Sequence, residues 1–154
     1  MSLAGLIAQS SILHSLKASS KKQILQELAS CAARKVGLSE REIFDVILQR
    51  ERLGSTGVGN GIAIPHGKLP NLDRIVGFCA RLDAPVDFEA LDDQPVDLVF
   101  MLLAPEGAGA DHLKALSRIA RILRNGDTVE KIRGAQSDTA IYALLTQSSA
   151  SNAA

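Results

Sequence analysis

The segment Asn60-Gly-Ile-Ala-Ile-Pro-His66-Gly-Lys68 sets a histidine directly between a proline and a glycine. Pro65 fixes its own φ, and Gly67 permits a sharp turn or a close approach of another group. The imidazole can therefore stand at a rigidly set strand end with little bulk around it. Imidazole accepts protons or phosphoryl groups well near neutral pH, because a substantial fraction is uncharged there. A second histidine, His112, follows Asp111 in the first turn of a predicted helix. Unpaired backbone N–H groups at a helix start attract anions, and the helix dipole there disfavours a cationic imidazole. Taken alone, each of these two histidines reads equally well as a structural residue. His14 lies in an N-terminal stretch without an assigned element and receives no role.

Rival chemistries fit poorly. The run Gly-Ser-Thr-Gly-Val-Gly-Asn-Gly, residues 54–61, suggests a phosphate cradle. A Walker A loop needs four residues between its glycines and a hydroxyl after the lysine. Here five residues separate Gly61 from Gly67-Lys68, and Leu69 stands where the magnesium ligand belongs. The dinucleotide fingerprint fails too, with Ile64 in place of the third glycine. Zinc would need three or four ligands at familiar spacings, and HExxH is absent. No cofactor and no metal are expected. Cys31 and Cys79 form no CxxC pair and read as buried thiols in a reducing compartment.

The elements that must position these side chains can be read from spacing. A helix is predicted over 21–35, capped by Ser20 with Gln23 three residues on and stopped by Gly37. A second is predicted over 40–52, with Ser39 and Glu42 as its capping pair and Gly54 as its stop. Ile62 to Ile64 read as a short strand interrupted by Pro65. Ile75–Leu82 and Val96–Ala104 read as longer strands, the latter almost continuously apolar and so buried on both faces. A third helix is predicted from near Asp111 to Leu123, a short one after Asp127 with Glu130 completing its cap, and a last over Asp138–Leu145. On the third helix Lys114, Arg118 and Arg121 share one face, either solvated or turned to an acidic partner. Leu91-Asp-Asp-Gln-Pro95 reads as a turn with solvated carboxylates. The order predicts an α/β domain whose mixed sheet lies between helical layers.

Composition narrows the class. At 154 residues and 16.3 kDa the chain is one domain, assigned here to residues 1–147 with a frayed tail over 148–154. Lys plus Arg and Asp plus Glu are both 17, and only 3% of residues are aromatic, which disfavours a nucleic-acid binder. The longest apolar run, Leu98–Ala104, is far short of the roughly 20 residues that cross a bilayer. No membrane insertion and a cytoplasmic location are expected.

The stretch Arg50–Lys68 resembles the active-site segment of fructose/mannitol-type enzyme IIA domains of the bacterial phosphoenolpyruvate-dependent phosphotransferase system. Asp92-Asp-Gln-Pro-Val-Asp-Leu-Val-Phe100 and His112-Leu-Lys-Ala-Leu-Ser117 extend the likeness, which runs from about residue 10 to 146 and is nearest the nitrogen-related branch. The resemblance implies a central mixed sheet with helices on both sides. It implies that His66 accepts a phosphoryl group from an HPr-like carrier (NPr), that His112 orients that group and that Arg50 stabilises its charge. It further implies a regulatory output through nitrogen metabolism, potassium-transport proteins or sensor kinases. A sugar-specific IIA that passes the group to a IIB domain, and a purely regulatory binding module, are the alternatives.

Overall fold

The computed structural model describes residues 3–153, with side chains described through residue 147. The expected frayed tail, 148–154, lies outside the fully described residues. In chain order the elements are β1 (Ile7–Leu16), α1 (Lys21–Val36), α2 (Glu40–Arg52), β2 (Gly57–Gly59), β3 (Ile62–Ala63), β4 (His66–Leu69), β5 (Val76–Val86), β6 (Val96–Pro105), α3 (Ala110–Leu123), α4 (Gly126–Gly134) and α5 (Asp138–Ala153). A 3-10 turn, Leu3–Gly5, precedes β1.

The strands form one mixed sheet in the order β1-β5-β6-β3-β2, with β4 also paired to β6. β5 and β6 are antiparallel, whereas β1 runs parallel to β5, and β3 and β4 run parallel to β6. Successive residues of a strand point to opposite faces, and β6 uses both. Leu98, Phe100 and Leu102 enter one core, with Ile119 of α3, Ile132 of α4 and Ile141 of α5. Val99, Met101 and Leu103 enter the other, with Leu25 and Leu28 of α1 and Ile43 and Ile47 of α2. Helices thus cover both faces, as expected. The free thiols of Cys31 and Cys79 are buried in opposite layers.

The predicted caps of the first two helices are present. Ser20 Oγ accepts from the N–H of Gln23 at 3.1 Å, and Gly37 adopts φ 72° to close α1. Ser39 Oγ accepts from the N–H of Glu42 at 3.3 Å. Three local expectations need correction. α4 starts at Gly126 rather than after Asp127, because Asn125 Oδ1 accepts from the N–H of Thr128 at 3.2 Å. The glycine-rich run, expected as a mobile or tightly turned loop, holds the short strand β2 as well as the tight turn at Asn60-Gly61 into β3. The uncharged N-terminus forms β1, whose exposed Ala8, Gln9 and Ser10 interrupt any alternation. Among the described residues no helix is long and apolar enough to cross a membrane.

Candidate active site at the open edge of the sheet

β3 and β4 are two pieces of one line alongside β6: Ile62 and Ala63 pair with Leu98 and Val99, and His66–Leu69 pair with Leu102–Pro105. Pro65 separates them, and β2 flanks only the first piece. The outer side of β4 is therefore a sheet edge. There α2 from one layer and α3 from the other overhang the same strand. Their close approach is local and specific. A Cβ on Gly67 would lie 2.6 Å from Val46 Cγ1 of α2, so only glycine lets this helix sit so near β4.

The cleft formed at this edge has a volume of ≈ 790 Å³ and is lined by residues of α2, β4 and the start of α3. It brings together all three residues named from the sequence: Arg50, His66 and His112. The rings of His66 and His112 stand edge to face, 5.7 Å between centroids and 71° between planes. His66 Nδ1 lies 2.9 Å from the carbonyl oxygen of Ile64. A carbonyl can only accept, so Nδ1 is the protonated nitrogen and Nε2 carries the lone pair.

His112 is 5% exposed, and its buried Nδ1 has no hydrogen-bond partner. Burial holds its pKa below the usual histidine value, and the nearby His66 and Lys68 push it the same way. The ring is thus neutral near pH 7. With no acceptor at Nδ1, its single proton belongs on Nε2. Gly109, at φ 50°, provides no side-chain cap to α3, so the helix start remains open to an anion. Arg50 stands in the last turn of α2, and its Nη1 donates to Gly54 O at 2.9 Å. The rest of its fork is available to oxygens in the cleft.

Sequence reasoning missed the supports behind these residues. Glu51 is buried, although it sits in a run of charged residues. Its carboxylate takes the N–H of Thr56 at 3.0 Å, the Thr56 hydroxyl, and Lys21 Nζ at 2.7 Å. Thr56 O in turn accepts from Ile64 N–H at 3.0 Å, which ties down the residue whose carbonyl, in the next peptide unit, meets His66. Asp92 is also more than a solvated carboxylate. It accepts from Asn60 N–H at 3.0 Å, and that bond, with a second from Gln94 N–H, keeps its carboxyl below the usual range. Arg133 completes the clamp from α4: it pairs with Asp97 at 3.0 Å and donates to Asn60 O. The two contacts hold Asn60 from either side of the turn it makes at φ 58°.

Residues 6–148 match the sequence profile of the family described as phosphoenolpyruvate-dependent sugar phosphotransferase system, EIIA 2. The chain belongs to this family. Among enzyme IIA relatives, it is 61% identical over 145 residues to a nitrogen regulatory protein of Bradyrhizobium diazoefficiens, covering 94% of this chain and 95% of that one. It is 41% identical to the nitrogen regulatory protein of Klebsiella oxytoca, covering 100% and 96%. The crystal structure of nitrogen regulatory protein IIA-Ntr from Neisseria meningitidis superposes with a TM-score of 0.89 at 35% identity, over 94% of this chain and 99% of that one. The IIA mannitol structure from Escherichia coli, at 20% identity and a TM-score of 0.76 over 90% and 97%, shares the fold. As an enzyme IIA protein the chain takes part in phosphoryl transfer within the phosphotransferase system.

Proposed function

We propose that the protein carries a phosphoryl group on His66 Nε2, taken from the phosphohistidine of an HPr-like donor, and that the charge state so created regulates nitrogen metabolism. The observation that carries the reading is the 2.9 Å contact between His66 Nδ1 and Ile64 O. It presents Nε2 as the nucleophile in a cleft shared with an arginine and a neutral histidine. The Nε2 lone pair attacks phosphorus, and the donor P–N bond breaks with its electron pair returning to the donor ring. The proton stays on His66 Nδ1, so the phosphorylated ring is cationic and remains a good leaving group for the next transfer. Ile64 O stabilises that ring without removing the proton.

Phosphoryl transfer asks a protein chiefly for positioning and charge stabilisation. The bound group carries roughly −1.5 to −2 charges, by analogy with other phosphorylated side chains. Arg50 opposes this charge, and at ~4 Å with an effective dielectric near 20 one such pair contributes about 4 kcal/mol before desolvation. His112 donates its Nε2–H to a phosphoryl oxygen and, being neutral, adds direction without a permanent positive charge. The nitrogen-regulatory part of the reading is supported by the relatives so named. On the output side the partners are nitrogen- or potassium-regulating proteins or sensor kinases, switched by the new dianion.

The test is incubation with phosphoenolpyruvate, enzyme I and an HPr-type carrier, followed by intact mass measurement and nitrogen NMR. One PO3 group on wild type, at Nε2, and none on His66→Gln is expected. Label persisting in His66→Gln, or residing on Nδ1, overturns the reading.

A further inference from the structure

Arg50 and His66 belong to different elements, yet one short turn touches both. Residues 54–56 leave the end of α2, where Gly54 O accepts from Arg50 Nη1 at 2.9 Å. Two residues on, Thr56 O accepts from Ile64 N–H at 3.0 Å, and Ile64 O meets His66 Nδ1 at 2.9 Å. The turn itself hangs on Glu51. The Glu51 backbone carbonyl accepts from Gly54 N–H at 3.1 Å. One carboxylate oxygen accepts from Thr56 N–H at 3.0 Å and from the Thr56 hydroxyl. Lys21 Nζ of α1 closes on the other oxygen at 2.7 Å, and Glu51 as a whole is 5% exposed. The carboxylate does not reach the cleft: Glu51 lines a separate groove with Lys21, Lys22 and Glu89. A negative charge next to Arg50 would by itself oppose an incoming anion. What Glu51 offers the site is a pair of fixed acceptor oxygens behind both of its working groups.

We propose that Glu51 is a positioning residue for phosphoryl transfer: through the 54–56 turn, one buried carboxylate sets the Arg50 guanidinium and the His66 ring together. The proposal rests on the phosphocarrier reading above and adds a residue that touches neither the phosphoryl group nor its donor. Contacts of this kind hold a site in its working geometry before the group arrives. The length of the side chain decides, and Lys21 takes up its charge. Glu51→Asp therefore keeps the charge and draws the oxygens back from Thr56 by one C–C bond. Glu51→Gln keeps the length and an acceptor for the Thr56 N–H, and loses the charge. Positioning predicts that Gln substitutes well and Asp poorly.

The experiment compares wild type, Glu51→Asp and Glu51→Gln, each alone and with Arg50→Ala, at a temperature where thermal melts show every protein folded. Transfer to His66 from the phosphorylated HPr-type carrier should slow ~10-fold or more in Glu51→Asp and under ~3-fold in Glu51→Gln. In the Arg50→Ala background the Glu51→Asp loss should shrink at least ~3-fold, because the part exerted through the guanidinium is gone. Nitrogen NMR of the unphosphorylated proteins gives a readout that stability alone does not move. Wild type and Glu51→Gln should hold the His66 proton on Nδ1, whereas Glu51→Asp should show both tautomers. A wild-type rate in Glu51→Asp, or a slower rate in Glu51→Gln than in Glu51→Asp, overturns the proposal. So does an undiminished loss in the Arg50→Ala background, or an unchanged His66 tautomer in Glu51→Asp. Should Glu51→Asp not fold, Thr56→Val, which removes the hydroxyl that meets Glu51, takes its place in every comparison. Failure of wild-type His66 to take label removes the phosphocarrier reading instead; the tautomer comparison needs no donor and then judges the positioning by itself.

Discussion

An alanine at position 67 tests whether the approach of α2 to β4 positions the site. Its Cβ would fall 2.6 Å from Val46 Cγ1 and 3.4 Å from Ile47 Cδ1. Two carbons rest at ~3.5–4.0 Å, so the first contact is about 1 Å too short. Val46 cannot easily rotate away, because a β-branched side chain in a helix has one strongly preferred rotamer. Either α2 or β4 must move. Overpacking of this kind costs ~1–3 kcal/mol, and the lower unfolded-state entropy of alanine returns ~0.4–1 kcal/mol. Gly67→Ala should therefore destabilise by about 1–2 kcal/mol, or ~2–8 °C in Tm for a domain of this size. Arg50 lies one helical turn beyond Val46, so the same displacement should slow phosphorylation of His66 by ~10- to 100-fold. Val46→Ala in the Gly67→Ala background removes the clashing methyls. The double variant should be more stable than Gly67→Ala alone and should recover much of the rate. Thermal melts and donor-to-His66 transfer rates on the four proteins of this cycle provide the measurement. A Gly67→Ala protein with unchanged Tm and rate, or a Val46→Ala change that merely adds its own loss, would refute the reasoning.

Two further outcomes concern the supports. His112 is a base whose folded pKa lies below its unfolded value, through burial first and then His66 and Lys68. The unfolded chain therefore binds more protons as pH falls. This site leaves stability level above about pH 6.5 and lowers it as pH drops from there toward the folded pKa. Denaturant midpoints across that range should show the loss in wild type and a reduced loss in His112→Gln; equal profiles would exclude a buried neutral His112. Glu51→Ala removes the acceptor of Thr56 and the partner of Lys21 at 2.7 Å. It should cost about 3 kcal/mol in urea unfolding, the range for breaking a buried pair, with Glu51→Gln losing less. A cost under about 1 kcal/mol for the alanine would show that the 54–56 turn holds without its carboxylate.

The strongly periodic elements were legible because their signals are local. Ser20, Gly37 and Ser39 mark helix ends through hydrogen bonds that span three or four residues. β6 was legible because a strand between two helical layers is apolar on both faces, as Leu98–Ala104 is throughout. β1 was not, because pairing with β5 shifts register between Ile7 and Ile12 and leaves three exposed residues in a row. Asn125 was passed over as the cap of α4 because Asp127 and Glu130 offered a competing local pattern. In the candidate site, His66 and His112 were visible through residue type and setting, and Arg50 through the resemblance. Glu51, Asp92 and Arg133 were not, since each acts on a residue that only the fold brings near. A buried carboxylate within Gln49-Arg-Glu-Arg52 has no sequence signature that separates it from its solvated neighbours.

The placement of the cleft follows from the way the sheet ends. Arg50 belongs to the layer packed under Val99 and Met101, and His112 to the layer packed under Leu98 and Phe100. Inside the sheet, six strands keep those layers apart; beyond the free side of β4 nothing separates them. A nucleophile on any inner strand would see one layer only and would be buried by it. At β4 the same side chain faces contributions from both: a cation from a helix C-terminal turn and a neutral donor from a helix N-terminal turn. It also stays open to a second protein. The kink at Pro65 creates this edge by dividing β3 from β4, and Gly67 lets α2 close down on it. Proline, histidine and glycine therefore stand in consecutive positions because edge, nucleophile and helix contact must coincide within one short stretch of backbone.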